Sequence, residues 1–149
     1  MSTQSNRAQD KVEIHELVAG LFHSIDDKDL AAYQSLFVDD ATSESPFGNL
    51  QGKAALSGFF SHHVGPQGMG DGKRHFALNI RSDVDGDRAR VTFDLLVSEV
   101  RDIPRIIATA RYDGNEVVRT SDGWKFKRLK QLIDPGFFKM VEAAKPKAG

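Results

Sequence analysis

The chain has no cysteine, so neither a disulfide nor a thiolate can take part in its fold or its chemistry. A zinc ion could then be held only by histidines and carboxylates. Net charge is also scarce: 20 Lys and Arg against 21 Asp and Glu leave −1. Nucleic-acid binders neutralise phosphates with clustered cations, and without that footprint no nucleic-acid partner is expected. No run of roughly 18 apolar residues occurs, so no membrane-spanning helix and no membrane partner is expected. The opening residues, MSTQSNRAQDK, lack the apolar stretch of a signal peptide. A reducing cytoplasm is the expected location.

The 149 residues, 40% of them apolar, are one domain's worth of chain with enough material for a core. The spacing predicts a polar tail over 1–9, a single domain over 10–143 and a second tail over 144–149. Asp10 with Glu13 three positions later offers a capping box. After it Ile14, Leu17, Val18, Leu21, Phe22 and Ile25 recur at helical spacing. Asp26-Asp27-Lys28-Asp29 breaks that helix, and Asp29 can cap a second short one carrying Leu30, Tyr33, Leu36 and Phe37. Residues 45–49 read as a turn, and 52–63 as a third helix with Leu56, Phe59 and Phe60 on one side. Four glycines and a proline within 65–72 predict a mobile loop that serves as a lid.

From Lys73 the apolar period changes to two, with Phe76, Leu78 and Ile80 alternating with His75, Ala77 and Asn79. Asp85-Gly86 marks a hairpin before a strand over 88–100. Further strands are predicted over 106–119 and 124–132, and Asp134-Pro135 caps a terminal helix. Helices first and a strand meander afterwards is the segregated α+β pattern. A curved antiparallel or mixed sheet wrapped around the N-terminal helices makes a cone with an apolar interior, the default place for a ligand.

The ordered set Ile25-Asp26-Asp27-Lys28-Asp29, Leu36-Phe37-Val38-Asp39-Asp40-Ala41-Thr42, Phe47-Gly48, Gly52-Lys53-Ala54-Ala55-Leu56, Arg74-His75-Phe76 and Asp122-Gly123-Trp124-Lys125 resembles the SnoaL-like branch of the nuclear transport factor 2-like superfamily. The resemblance covers about residues 10–132 and implies the cone-shaped α+β fold. One scaffold of this kind carries many chemistries, so activity must be argued position by position.

The dehydratase and dehydrochlorinase members carry an Asp just after the first helix and a His at the start of a long strand. Asp26 and His75 fall on those positions by motif. A carboxylate beside an imidazole fixes its tautomer, leaving the other ring nitrogen to take a proton from carbon. An Asp at a helix end more commonly caps backbone groups, and a strand His is more commonly a satisfied core residue.

Other members place their chemistry elsewhere. In ketosteroid isomerase the base and the oxyanion donor fall, by motif, on Ser45 and Leu21, which can do neither task. An epoxide hydrolase needs an Arg-x-Asp pair, which Arg111-Tyr112-Asp113 supplies, and a second Asp where Gln131 stands. Asp113 is also near a pocket position of several members, against the plainer reading of a surface ion pair with Arg111. Some lyases of the family carry an arginine toward the leaving group where this chain has Leu129, between Arg128 and Lys130.

Five histidines raise the question of a metal. No pair has the i, i+4 spacing by which a helix grips an ion, so no metal and no cofactor is expected. Arg119, Lys125, Lys127, Arg128 and Lys130 alternate between faces and read as solvated surface. Phe22, Phe47, Phe59, Phe60, Tyr112, Phe137 and Phe138 are more aromatic rings than so small a core requires, so some are expected to line the cone.

The reading favoured by these residues is a lyase or isomerase of the dehydratase kind acting on a small apolar or ring-shaped molecule. Asp26 and His75 are its expected catalytic pair. Phe22, Phe47, Phe60, Asn79, Arg111, Tyr112, Asp113 and Leu129 are the expected substrate contacts. A non-catalytic binding or assembly module of the same fold is the alternative, and an epoxide hydrolase-like activity the third. A sheet with an apolar outer face needs covering, and family members associate through it, so a homo-oligomer, dimer or trimer, is expected.

Overall fold

Apolar residues at three- and four-residue spacing make α1 (Arg7–Asp26), which buries Ile14, Leu17, Val18, Leu21 and Phe22. The computed structural model describes residues 7–64, 68 and 70–146. Positions 1–6 and 147–149 of the expected tails, and 65–67 and 69 of the expected lid, lie outside the described residues.

The helix begins three residues before Asp10, and Asp10 is not its cap. The Asp10 carboxylate is buried and accepts from Trp124 Nε1 at 3.2 Å and from the Arg119 guanidinium at 2.8 Å. A buried carboxylate needs such donors, and a long-range pair of them outweighs a local cap. At the other end Lys28 adopts φ 57°, Asp29 N–H donates to Ser24 O and Lys28 N–H to Ile25 O. This 6→1 and 5→2 pattern is a Schellman stop, here made without glycine. Asp29 caps α2 (Leu30–Ser35), accepting from Ala32 N–H at 2.9 Å as expected.

Phe37, expected on the second helix, instead opens β1 (Phe37–Ser45), where its ring is fully buried against Tyr33 and Phe126. β1 turns at 45–48 into β2 (Gly48–Gln51), a short pair where the residue pattern predicts only a turn. Then come α3 (Lys53–His63), β3 (Lys73–Asp85), β4 (Arg88–Glu99), β5 (Arg105–Thr120), β6 (Gly123–Ile133) and α4 (Pro135–Ala143). Asp134 stands at the N-cap of α4 without capping it. Its carboxylate accepts from Thr109 Oγ1 at 2.6 Å and so ties α4 to β5.

Among the described residues six strands form one open mixed sheet in the order β2-β1-β6-β5-β4-β3, with β1 and β6 the only parallel neighbours. α1 packs on β3 and β6, and the core lies between the helices and the inner face of the sheet. This is the expected α+β cone. Among the described residues no helix is long and apolar enough to cross a membrane.

One irregularity sets which residues of β3 face inward. Register shifts between Leu78 and Arg81, and Asn79 sits there at φ 53°. Before this bulge His75 and Ala77 pair with the inward Val97 and Leu95, while Phe76 and Leu78 point outward and are exposed. Beyond it Ser82 and Val84 take the inner face. An extra residue reverses the alternation, and asparagine tolerates the left-handed backbone it needs.

Candidate active site

Phe22 and Asp26 are one helical turn apart on α1 and therefore share a face. That face meets the start of β3. The Asp26 carboxylate accepts from the His75 backbone N–H through Oδ2 at 3.1 Å, and its Oδ1 lies 2.6 Å from His75 Nδ1. A carboxylate can only accept from a neutral ring, so Nδ1 carries the hydrogen and the Nε2 lone pair is left free. The two side chains are 18% and 15% exposed, which shields the contact from bulk water. Phe22 stacks on the imidazole with centroids 5.8 Å apart and planes 3° from parallel.

His75 borders a cavity of about 410 Å³, within the usual range for small-molecule sites. Its wall is largely apolar: Phe22, Ile25, Phe47, Phe59, Leu95, Val97 and Phe137 are among its residues. Among the described residues its polar side chains are His63, Lys73, His75, Tyr112 and Gln131. Tyr112 lies edge-on to Phe22 at 6.1 Å and stacks on Phe93 at 4.7 Å. Burial pushes its phenol well above the ordinary tyrosine value, and the Gln131 side chain hydrogen-bonds to it. Tyr112 thus keeps its proton and can donate it as a hydrogen bond. Tyr33, on the core side of α2, is pushed up to about 12 by burial.

The sequence and the fold agree with one family. A family model described as a SnoaL-like domain matches residues 6–130. The chain belongs to the SnoaL-like family. No curated protein matches the sequence. Solved structures do match. A protein from Novosphingobium aromaticivorans described as NTF2-like with a cystatin-like fold is 23% identical with a TM-score of 0.77, over 98% of this chain and 99% of that one. A candidate scytalone dehydratase from the same organism is 23% identical with a TM-score of 0.67, over 81% of each chain. A type 2 hexachlorocyclohexane dehydrochlorinase is 19% identical with a TM-score of 0.71, over 86% of this chain and 87% of that one. These likenesses concern the fold.

Of the residues singled out from the sequence, this SnoaL-like domain brings Phe22, Phe47, His75 and Tyr112 to the cavity wall, with Asp26 behind His75. Asn79, Arg111 and Asp113, expected as substrate contacts, lie on the opposite face of the sheet. Arg111 forks onto Asp94, Nε to Oδ1 at 2.7 Å and Nη2 to Oδ2 at 3.2 Å, and Asn79 Nδ2 donates to the same Oδ2 at 2.8 Å. Arg111 first and Asn79 second hold the Asp94 carboxyl below its ordinary value. Asp113 accepts from Thr92 Oγ1 at 3.2 Å. The reason is alternation: Tyr112 faces in, so its neighbours on the strand face out. An Arg-x-Asp pair on the outer face cannot serve an epoxide held in the cone.

Phe60 and Leu129 are also not cavity contacts. Phe60 is buried on Tyr33, with centroids 4.5 Å apart, and Leu129 is buried in the core. Phe59 takes the place expected for Phe60, because the cavity side of α3 passes through Phe59 and His63 at i, i+4. His63, Lys73 and Gln131 were not among the expected contacts. For His63 the i, i+4 spacing from Phe59 was the available signal, and for Gln131 it was the two-residue period of β6. Lys73 gave none.

The acid side of Asp26 opens on a separate polar cleft that shares Gly70, Lys73 and His75 with the cavity wall. Several of its charges are paired. Asp71 accepts from Lys28 Nζ at 2.7 Å and from Arg101, and Lys73 pairs with Glu99. Arg101 and then Lys28 hold Asp71 well below the usual carboxylate range, and Lys73 with the Arg101 backbone N–H lowers Glu99 to about 2.

Proposed function

We propose that this SnoaL-like domain is a lyase of the dehydratase kind that needs no cofactor and acts on a small, largely apolar ring compound. The observation that carries the reading is the double grip of Asp26 on His75, through the backbone N–H and Nδ1, with the imidazole at the edge of an apolar cavity. His75 takes a proton from a ring carbon through Nε2. Asp26 fixes the tautomer and steadies the cation that results. Tyr112, keeping its proton and standing on the same wall, hydrogen-bonds the substrate oxygen on which negative charge collects. The similarity of fold to a candidate scytalone dehydratase and to a dehydrochlorinase supports the choice of an elimination.

Hydrogen–deuterium exchange at the α-carbon of cyclohexanone in D₂O tests the base by itself, since no leaving group is required. The protein accelerates exchange, and His75→Gln and Asp26→Ala lose the acceleration by about 10²-fold or more. Equal exchange in the parent and in His75→Gln would remove the base from the reading.

The same proposal includes a homo-oligomer of two or three copies. Phe76, Leu78, Ile106 and Leu132 are exposed on the outer face of the sheet around the Asp94–Arg111 pair, an apolar surface suited to a second copy.

A further inference from the structure

His63 is the last residue of α3 and closes the cavity wall beside Val64. Its ring stacks on Phe59 at 4.0 Å and 17°, and its Nδ1 lies 3.1 Å from the Phe59 carbonyl oxygen. A carbonyl only accepts, so Nδ1 carries hydrogen whether the ring is neutral or charged. Nε2 is then the nitrogen at which a proton can come or go. On the same wall Nδ1 of His75 is held by Asp26, and Lys73 is paired with Glu99. Nε2 of His63 has no hydrogen-bond partner among the described residues.

The cavity therefore holds two imidazoles of different character. His75 is held by a carboxylate and suits proton removal. His63 is held by a neutral carbonyl and the face of Phe59, with the His62 ring edge-on at 4.8 Å and no carboxylate on it to hold its charge. An elimination needs a second proton transfer only when the departing group is a poor one. Halide leaves unaided, whereas hydroxide must be protonated to leave as water. Histidine apart, no cationic side chain stands free on the described wall to receive a departing anion, since Lys73 is paired and Leu129 is buried apolar core.

We propose that His63 is the general acid of the site and that the substrate is a neutral cyclic alcohol whose hydroxyl departs as water. This rests on the elimination reading above. In the step, His75 Nε2 takes the proton from the ring C–H, and the electron pair of that bond becomes the C=C bond. The C–O bond on the next carbon breaks with its pair on oxygen. That oxygen takes the proton from Nε2 of the His63 imidazolium, and water is released. His75 is left protonated and His63 neutral, and proton exchange with solvent restores both.

The test uses two probes on the intact protein, 3-hydroxycyclohexanone and 3-acetoxycyclohexanone, both read as formation of cyclohexenone. Acetate is a far better leaving group and needs no acid. The variants are His63→Gln, and His63→Phe, which keeps a ring stacked on Phe59 but has no proton to give. Both are expected to lower kcat on the alcohol by about 10²-fold while leaving the acetate nearly unchanged. His75→Gln loses both substrates. Equal losses on the two probes in the His63 variants, or no loss on either, overturn the acid assignment and leave the elimination reading in place. Failure of the parent protein on both probes overturns that reading, and the role of His63 with it. Loss of fold in one variant would lower both rates equally, so the ratio between probes, compared across the two variants, separates damage from chemistry.

Discussion

The ring of Phe22 lies parallel to the imidazole of His75, 3° between planes and 5.8 Å between centroids. Asp26, one turn further along α1, holds the edge of the same imidazole. Two residues of one helix face thus fix both the plane and the tautomer of a side chain on a distant strand. Stacking restricts tilt, and the carboxylate restricts rotation about the ring normal. An imidazole so held stands at the cavity edge with its plane and tautomer set, without having to be ordered when a ligand arrives.

The tautomer is directly measurable. In ¹⁵N-labelled protein above the titration of the imidazole, His75 is expected to show protonated Nδ1 and bare Nε2. Asp26→Ala removes the acceptor, and the expected result is a mixture of the two tautomers. A His75 already mixed in the parent protein would contradict the geometry, and with it the aimed base.

The polar cleft behind Asp26 gives a pH dependence. Asp71 and Glu99 both ionise more readily folded than unfolded, Asp71 chiefly through Arg101 and Glu99 chiefly through Lys73. A depressed carboxyl stabilises the fold above its unfolded value, 4.5 for Glu99, and that contribution is lost as pH falls toward about 2. The double variant Asp71→Asn, Glu99→Gln is expected to have a lower urea midpoint than the parent near neutral pH. The gap should close steadily below the ordinary carboxylate range. A gap that stays constant with pH would show that these ion pairs are not the cause. Arg101 is 62% exposed and the cleft is open to water, so screening keeps the effect modest.

Asn79 is expected to respond to backbone shape rather than to loss of its side chain. At φ 53°, Asn79→Gly keeps the bulge at little cost, whereas Asn79→Val puts a branched Cβ where the left-handed backbone crowds it, at about 1–2 kcal/mol. Both variants lose the bond to Asp94, so their difference isolates the conformation. Thermal unfolding measures it, with a shift of a few degrees between the two. Equal melting of the two would mean that the bulge is not held by this residue.

The outer face predicts association. Sedimentation at micromolar concentration should give a dimer or trimer, and Leu132→Asp, placing a charge among the exposed apolar residues beside Arg111, should give the monomer. A monomeric parent protein would remove the second copy from the proposal. An unchanged mass in Leu132→Asp would move the contact elsewhere.

Much of this molecule can be read along the chain, because helical and strand periods are local. The spacing of Ile14 to Ile25 writes α1, and the two-residue alternation after Lys73 writes the meander. The cap at Asp29 depends only on neighbours three residues away and stands as expected. Asp10 and Asp134 obey the same local rule in sequence but spend their carboxylates on Trp124, Arg119 and Thr109, partners that no local rule can supply.

What the sequence alone determined was an α+β domain with Asp26 and His75 at family positions. Tertiary structure decided which faces meet. A single bulge at Asn79 reverses inside and outside along β3, the outward turn of Arg111 and Asp113 follows from Tyr112 facing in, and α3 gives the cavity Phe59 and His63 while keeping Phe60 for the core. The physical reason is that facing depends on register, and register is settled by packing between segments far apart in the chain.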